Sequence, residues 1–397
     1  MNLLVLSTWF PYPADNGSRL RAFHLLRGLH EAGHTIRLVA GLQSDLTPTV
    51  QSGIPAPLSG LCAFVRAVPW HWHEGSGGIK ALLSPIPASI LQTPNPELTS
   101  AIVEELARKP DAVLVMELGM DAYIPPTSVP LVLEQAEVSG WVRSVNDAPN
   151  SKARLRALLT QAKARAYWRK RFARYQAITA VSEEEARAVR AIARTVPVEI
   201  VPNGVDVGAF GVRDPACVKP LQLVYNGSPT YKPNRDAVLW FAREILPRVR
   251  RILPDVRLCV TGRFDANDTE LTGLSAVQLT GFLPDVRLTV AESSVCVVPL
   301  RSGGGTRLKI LEAWAANVPV VSTPVGAAGL GAKDGMHLLL AQTEADFANA
   351  VLRLLQNLPM AQQIADTAHM YVAQTFDWRI GAARLNELLT RVAARSS

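Results

Sequence analysis

The most informative segment of this chain reads Arg301-Ser-Gly-Gly-Gly-Thr-Arg-Leu-Lys-Ile-Leu-Glu-Ala-Trp-Ala-Ala-Asn317. An apolar run at residues 295–299 precedes it, and a second run at 318–323 follows it. A strand that leads through three glycines into an amphipathic helix places backbone N–H groups and the positive helix end at the carboxyl edge of a parallel sheet. This pattern predicts an α/β domain with a phosphate-binding loop.

On both sides of this stretch, short apolar runs alternate with longer segments whose apolar residues recur with the period of an α-helix. This alternation predicts parallel sheets covered by helices. In the second half we expect strands at 221–225, 256–261 and 277–279, with a helix at 234–249. In the first half we expect strands at 3–7, 35–40, 112–116, 131–133 and 177–181, and a helix at 19–32 that ends at Gly33. Ser182 followed by Glu185 is a capping box, which predicts a helix start.

The two halves repeat one plan, because GHTIRLVAG in the first half parallels PDVRLCVTG in the second. In each half this segment lies about one βαβ unit after the first strand. The sequence therefore predicts two similar Rossmann-like domains. Turn-forming residues at 201–206 suit a linker. We place the domains at 1–205 and 206–375, followed by a terminal segment at 376–397.

Composition excludes several classes of protein. The 397 residues suit two or three domains, and the net charge of +7 favours anionic partners such as phosphates or lipid headgroups. The four cysteines are widely spaced, which predicts buried free thiols in a reducing compartment. The apolar start is too short for a signal peptide and no apolar run reaches membrane-spanning length, so we expect a cytoplasmic protein. Neither a Walker pattern nor GxGxxG follows the first strand, which disfavours ATPases and ordinary dehydrogenases.

Four segments together resemble the family-four retaining glycosyltransferases of GT-B fold: PYPADNGSRLRAFHLLRGLHEAGHTIRLVA, ITAVSEEEA with VEIVPNGVD, VQLTGFLPDV, and GGGTRLKILEAWAANVPVVSTPVGAAGL. The resemblance implies two Rossmann-like domains that face each other across a cleft, with a C-terminal helix that crosses back to the first domain. It also implies transfer of a sugar from a nucleotide-diphosphate donor to a hydroxyl acceptor, in cell-envelope polysaccharide or glycolipid synthesis. No metal and no cofactor is implied.

The resemblance places the donor on the second domain. Glu312 matches the family glutamate that binds the ribose hydroxyls, although a helix-surface ion pair with Lys309 is the alternative. The family's second glutamate falls on Gly304, so this chain resembles the variant branch that reads GGGTRLK. The expected donor contacts there are the loop Gly303, Gly304, Gly305 and Thr306 and the cations Arg307 and Lys309.

A second cationic site is usual after the first strand of the second domain, but the family arginine is missing from Gly227-Ser228-Pro229-Thr230-Tyr231-Lys232. We expect Lys232, or else Arg263, to replace the missing arginine. The alternative for each is an exposed cation on a loop with no role in binding. Gly227 and Ser228 are expected to line the donor. The backbone of Gly281, Phe282 and Leu283 matches the stretch that binds the nucleobase.

Acceptor contacts are expected on the first domain. Asp15, Asn16, Gly17 and Arg19 match the family's loop before the first helix, and an N-cap served by Asp or Ser is the alternative. Glu117 lies after a strand at which many relatives carry a histidine, and Glu134 follows the next strand. Either could orient the acceptor hydroxyl, with a surface carboxylate as the alternative.

The predicted catalytic groups are Lys232, Arg307, Lys309 and Glu117. The cations and the loop amides would stabilise the leaving diphosphate while its oxygen takes the acceptor proton. The segment His71-Trp72-His73-Glu74 lacks further ligands at a recognisable spacing, so no metal site is predicted.

Residues 151–175 carry nine Lys and Arg residues and no acidic residue. This charge favours contact with an anionic membrane or an anionic acceptor, and a solvated helix face is the alternative. Nucleic acid is not expected, because no binding motif accompanies the charge. Two rival functions are a catalytically silent GT-B partner subunit and a sugar-nucleotide epimerase.

Overall fold

A computed structural model describes residues 1–395 except 48–49, 51–52, 71–92, 135–137, 139, 141–144, 146–147, 149, 212 and 304–306. The chain divides into two compact units. The first unit comprises Met1–Pro202 and Trp378–Ser397, and the second comprises Asn203–Asp377. The C-terminal segment therefore belongs to the first unit, although 175 residues separate it from the rest of that unit in sequence.

In its described part, the first unit is built on a seven-stranded parallel sheet in the order β3-β2-β1-β4-β5-β6-β7. Its strands are β1 (Asn2–Ser7), β2 (Thr35–Leu42), β3 (Phe64–Pro69), β4 (Ala112–Met116), β5 (Leu131–Glu134), β6 (Ala177–Ala180) and β7 (Val198–Ile200). Its helices are α1 (Gly17–Glu31), α2 (Ala56–Ser59), α3 (Pro96–Leu106), α4 (Ser151–Phe172), α5 (Glu183–Ala193) and the C-terminal α14 (Trp378–Ala394). Short 3₁₀ helices lie at Ser44–Leu46 and Leu118–Tyr123.

The second unit has a six-stranded parallel sheet in the order β10-β9-β8-β11-β12-β13. Its strands are β8 (Lys219–Asn226), β9 (Arg257–Thr261), β10 (Val277–Gly281), β11 (Ser293–Val298), β12 (Val320–Ser322) and β13 (Leu339–Leu340). Its helices are α6 (Val207–Phe210), α7 (Lys232–Trp240), α8 (Leu246–Arg250), α9 (Thr269–Thr272), α10 (Arg287–Ala291), α11 (Leu308–Ala315), α12 (Glu344–Gln356) and α13 (Leu358–Thr375), with a 3₁₀ turn at Pro215–Cys217.

Strand order reverses between β8 and β11 in the second unit, as it does between β1 and β4 in the first. Ligands of open α/β sheets bind outside the carboxyl ends of the strands at such a reversal. β11 ends at Val298 at this point, and α11 begins at Leu308. The topology thus places the start of α11 where a ligand is expected.

The predicted strands lie where the sequence placed them, to within two residues at most ends. Three short edge strands, β3, β7 and β13, were not predicted. The predicted helix at 234–249 is interrupted by a π-helical turn at Phe241–Ile245, in which Leu246 donates its N–H to the Phe241 carbonyl. Pro247 has no N–H and its ring excludes the carbonyl four residues earlier, so the helix widens there.

The C-terminal helix packs on α1 inside the first unit. Gly28 permits this approach, because a Cβ atom at that position would lie 2.2 Å from the Cβ of Ala382. His24 stacks on the Trp378 ring with 5.3 Å between the ring centroids.

Of the four free cysteines, Cys62, Cys259 and Cys296 are buried and Cys217 is exposed. No helix in the described residues is both long and apolar enough to span a bilayer.

Candidate functional site

The candidate site lies at the carboxyl edge of the second unit's sheet. β8 ends at Asn226 and leads into Gly227 and Ser228, while the loop after β11 leads into α11. The Ser228 hydroxyl donates to the Arg263 carbonyl and accepts a hydrogen bond from the Thr230 hydroxyl at 2.8 Å. The bond to Arg263 joins the ends of β8 and β9. The expected donor residues after these strands are therefore neighbours.

Lys309 occupies the first turn of α11, and its side chain reaches toward the end of β8. Its Nζ donates to Asn234 Oδ1 at 3.0 Å and lies 4.9 Å from the centroid of the Tyr225 ring. Burial, and next the charge of Arg307, lower the pKa of Lys309 to about 8. A lysine in the first helical turn faces the positive end of the helix dipole, which costs stability unless an anion binds there.

Glu312 lies one turn further along α11 and accepts a hydrogen bond from Asn226 Nδ2. Asn226 Oδ1 in turn accepts a hydrogen bond from the buried Thr261 hydroxyl at 2.7 Å. Burial raises the pKa of the Glu312 carboxyl to about 7, against the opposing effect of Lys309. Glu312 is thus a partly buried carboxylate with its orientation fixed by a two-residue relay, as a group that accepts hydrogen bonds from a ligand requires.

Arg307 is the N-cap residue of α11, and its side chain is buried. Its Nη2 donates to the Gly303 carbonyl at 2.9 Å and to the Val325 carbonyl at 3.1 Å. Gly303 adopts a φ of +109°, a conformation that favours glycine. The expected loop contacts Gly304, Gly305 and Thr306 lie outside the described residues. The contacts of Arg307 tie the start of α11 to Gly303 and Val325, and they place a positive charge beside Lys309.

Lys232 differs from Lys309 in its surroundings. It begins α7, its side chain is 86% exposed, and its Nζ pairs with Asp236 at 3.2 Å. This is the exposed-cation alternative that the sequence left open. The structure therefore brings Lys309, Arg307 and Glu312 together on one helix, and it gives Lys232 a surface ion pair instead.

The ends of β9 and β10 meet at a cation–aromatic contact. The Arg263 guanidinium lies 4.9 Å from the centroid of the Phe282 ring, which is 46% exposed. Gly281 has a φ of +74°, and its carbonyl accepts the Gly262 N–H at 2.9 Å. Leu283 is partly buried beside them. These predicted base-contacting residues form one edge of the site in the second unit.

The acceptor residues expected on the first unit have well-defined structural roles. α1 begins at Gly17, two residues before the predicted start, so its N-cap is Asn16, which accepts the Arg19 N–H at 3.1 Å. The expectation of an Asp or Ser cap was wrong. Arg19 is buried, pairs with Asp15 at 2.9 Å and with Asp45 at 3.3 Å, and covers the Trp9 ring. These contacts hold the loop between β1 and α1 in place.

Glu134 is fully buried, and this corrects both of its expected placements, at an acceptor hydroxyl or on the surface. Its Oε1 accepts hydrogen bonds from Arg21 Nε at 2.9 Å and from the Thr179 hydroxyl at 3.3 Å. Arg21, which is also fully buried, donates further to the Val201 carbonyl at 2.8 Å. A buried carboxylate with a buried counter-ion joins α1 to the sheet. Glu117 is partly buried at the end of β4, with a φ of +70°.

The sequence did not indicate the four groups that orient Lys309 and Glu312: Tyr225, Asn226, Asn234 and Thr261. Each lies at or just after a strand end or in the first turn of a helix, where polar residues also serve as ordinary caps. Their common role depends on packing between β8, β9, α7 and α11. Among the described residues, no group of three or more His, Cys, Asp and Glu side chains could hold a metal ion. His71, His73 and Glu74 lie outside that part of the chain.

Comparisons with known proteins find sequences that are similar to part of this chain. Residues 220–357, about a third of the chain, match the family model described as Glycosyl transferases group 1. A curated relative from Klebsiella pneumoniae, described as an uncharacterized 44.6 kDa protein in cps region, is 24% identical over 164 residues. That match covers 39% of this chain and 42% of the relative, so the chain spans less than half of the relative's length.

Solved structures resemble the whole chain at low identity. Sucrose-phosphate synthase from Thermosynechococcus elongatus superposes with a TM-score of 0.70 at 17% identity and covers 100% of both chains. Anabaena HepE in complex with UDP and glucose gives a TM-score of 0.65 at 16% identity, over 98% of this chain and 100% of that one. The predicted GT-B fold is confirmed, and the second unit carries the sequence pattern of group 1 glycosyl transferases.

Proposed function

We propose that this protein is a glycosyltransferase of the family-four type, which moves a sugar from a nucleoside-diphosphate donor to a hydroxyl acceptor with retention of configuration. The observation that carries the proposal is the first turn of α11, where Arg307 and Lys309 add two cations to the positive helix end. An anion is the ligand that this arrangement stabilises. The group 1 match over this unit and the UDP complexes of a structural neighbour support a nucleotide sugar as that ligand.

The proposed donor contacts follow from the site. Lys309 binds the diphosphate and Glu312 accepts hydrogen bonds from the ribose, while Gly281 to Leu283 border the base. In the transfer step the acceptor oxygen forms a bond to the anomeric carbon on the face from which the diphosphate leaves. The bond between that carbon and the phosphate oxygen breaks, and the departing phosphate oxygen takes the acceptor proton. Lys309, supported by Arg307, stabilises the negative charge that develops on the leaving group.

Nucleotide binding is the first test, by thermal shift with UDP, GDP, ADP, dTDP and CDP. A nucleotide at a hundred times its dissociation constant adds about 2.7 kcal/mol of stability to the folded protein. We expect one nucleotide to stabilise the wild type, and we expect Glu312→Ala and Lys309→Met to abolish the shift. Lys219→Met, which removes a cation at the opposite end of β8, is the matched control and should keep it.

Lys232→Met is informative beside these variants, because the ammonium is exposed and paired with Asp236. We expect a smaller loss of nucleotide affinity than for Lys309→Met. Failure of every nucleotide to stabilise the wild type would refute the transferase and favour the silent partner subunit. Conversion of the donor sugar in the absence of an acceptor would favour the epimerase. NMR of the product's anomeric proton tests retention, and an inverted product would overturn that part.

The acceptor is proposed to be a cell-envelope carbohydrate or a lipid-linked precursor, with the enzyme in the cytoplasm at the inner face of the membrane. Polysaccharide synthesis is suggested by the cps-region relative. Three free buried cysteines fit a reducing compartment. Asp15, Asn16, Gly17, Arg19 and Glu117 on the first unit remain the proposed acceptor side.

Membrane contact is proposed for the N-terminal part of α4. Leu155, Leu158 and Leu159 share one helix face and are 60%, 44% and 49% exposed. Lys and Arg residues surround them, and an exposed apolar face with a basic border suits an anionic lipid surface. Two of the nine predicted cations do not contribute, because Arg171 and Arg174 pair with the buried Asp121.

Co-sedimentation with vesicles tests this contact, using anionic phosphatidylglycerol against neutral phosphatidylcholine at low salt. We expect retention on the anionic vesicles and its loss when all three leucines are replaced by glutamine. Leu288→Gln, which changes a leucine that is 70% exposed in the second unit, is the control. Equal retention by both vesicle types, or none, would contradict the membrane contact and leave α4 as a solvated helix.

A further inference from the structure

Lys309 and Glu312 are three residues apart on α11, a spacing at which oppositely charged side chains usually pair on a helix. In the described part of the chain they bond to separate partners instead of to each other. The ammonium donates to Asn234 on α7, and the carboxylate accepts from Asn226 at the end of β8. The two asparagines lie on either side of residues 227–232, the segment in which the resemblance expects an arginine.

The amide of Asn234 is fixed at both ends. Its Nδ2 donates to the Ser228 carbonyl at 2.9 Å, and a carbonyl can only accept. The oxygen of the amide must therefore face the other way, where it accepts from the Tyr225 hydroxyl at 2.7 Å and from Lys309 at 3.0 Å. Asn234 is buried, so these bonds are shielded from water. The lysine thus has an acceptor that carries no charge.

The side-chain amide of Asn226 has the opposite orientation, with its nitrogen toward the charged group. Its Oδ1 accepts the Thr261 hydroxyl, so that its Nδ2 is the end that faces Glu312. Glu312 therefore receives a donor that carries no charge, as Lys309 receives a neutral acceptor. Neutral partners orient charged groups without neutralising them, which leaves the charges available to a ligand.

We propose that Asn226 and Asn234 are positioning residues, which hold Glu312 and Lys309 apart so that the carboxylate meets the donor's ribose hydroxyls and the ammonium meets its diphosphate. This proposal rests on the proposed function of the same site. Removal of either amide allows the two charged groups to form the ordinary ion pair of a helix. The pair would then compete with the nucleotide for both groups.

The proposal predicts a change in pH dependence that a purely structural role would not produce. Lys309 is surrounded by Arg307 and Glu312 on its own helix, Tyr225 on β8, Asn234 on α7 and Cys296 on β11. Pairing with Glu312 would stabilise the charged ammonium, so its pKa would rise from about 8 toward or above the ordinary value for lysine. The alkaline loss of nucleotide affinity would move to higher pH in the variant.

Isothermal titration with UDP from pH 6.5 to 9.5 tests this for the wild type, Asn226→Ala and Asn234→Ala. We expect affinity in both variants to fall by about tenfold or more at pH 7.5, and the alkaline limb to shift upward in Asn234→Ala. Gln222→Ala is the matched control, because it removes a buried amide bonded to Ser293 nearer the start of the same strand. It should keep both the affinity and the pH profile.

A measurement without ligand separates this proposal from the proposed function. Lysine ¹³Cε shifts, with Lys309 assigned from the spectrum of Lys309→Met, report its titration in wild type and Asn234→Ala. An unchanged titration together with unchanged UDP affinity would overturn the positioning role. A shifted titration in a protein that binds no nucleotide would uphold the separation of the two charges by the asparagines, and it would refute both their role toward a donor and the transferase. Should an alanine variant fail to fold, the shape-conserving Tyr225→Phe and Thr261→Val remove the bonds that orient each asparagine, and we expect the same effects in weaker form.

Discussion

Gly227 leaves the space that the Lys309 ammonium occupies: a Cβ atom on Gly227 would lie 3.0 Å from Lys309 Nζ and 3.1 Å from Asn234 Nδ2. The residue also has a φ of +154°. We therefore predict that Gly227→Ala displaces the ammonium and weakens nucleoside-diphosphate binding by about tenfold, the loss of one charged hydrogen bond. Backbone strain should cost about 1 kcal/mol of unfolding free energy in addition.

Gly335→Ala controls for the backbone effect alone. Gly335 has a φ of +71° in the same unit, and a Cβ atom there would meet nothing within 4 Å. Titration calorimetry and urea unfolding of both variants separate the two effects. Equal nucleotide affinity in Gly227→Ala and the wild type would show that the position of the ammonium does not matter for binding.

Nucleotide affinity should depend on pH with a narrow optimum. Glu312 has a pKa of about 7 and must be ionised to accept two ribose hydrogen bonds, so affinity rises as pH passes upward through 7. Lys309 has a pKa of about 8 and must be protonated to bind phosphate, so affinity falls above 8. We predict a maximum between these values, measured by calorimetry above pH ~6.5, where a phosphate with a second pKa near ~6 is mostly ionised. A flat profile to pH 9.5 would contradict the role of Lys309.

Glu312→Gln should stabilise the free protein while it removes nucleotide binding. The folded-state pKa of Glu312 is raised above the ordinary value of 4.5, so folding binds a proton and stability is lost as pH rises through 4.5 to about 7. Glutamine keeps an acceptor for Asn226 without this cost. We predict a gain of up to about 3 kcal/mol in unfolding free energy at pH 8 and none at pH 4, measured by urea unfolding. A loss of stability at pH 8 would mean that the carboxylate is structurally required.

The fold could be predicted because its signal is local. The central strands β1 and β4 are short runs of buried, mostly aliphatic residues, and each run is followed by a segment with helical periodicity. The edge strand β3 was not predicted because Arg66 interrupts its apolar residues and Pro69, an unusual strand residue, ends them. The interruption of the predicted helix at Pro247 could have been anticipated, since proline cannot donate to the helix ladder.

The charged members of the site could be predicted, but their partners could not. Lys309 and Glu312 stand out because a glycine loop and a helix start precede them in sequence. Asn226 and Asn234 gain their roles only when β8, α7 and α11 pack together, and an asparagine near a strand end is common in any loop. Glu134 was misplaced for the related reason that no local pattern shows Arg21, 113 residues away, as its partner.

The buried pair of Arg21 and Glu134 yields the last prediction. Glu134→Gln leaves the Arg21 guanidinium buried without its counter-charge, which typically costs about 3–5 kcal/mol. We predict that this variant destabilises the first unit by that amount, and that β1 and β5 exchange backbone hydrogens faster by mass spectrometry. UDP affinity, which depends on the second unit, should not change. Replacing both residues, as Arg21→Met with Glu134→Leu, should recover part of the loss, because an apolar pair leaves no unpaired charge. An acceptor-binding role for Glu134 would give the opposite pattern, with normal stability and hydrogen exchange but a lowered transfer rate at saturating donor.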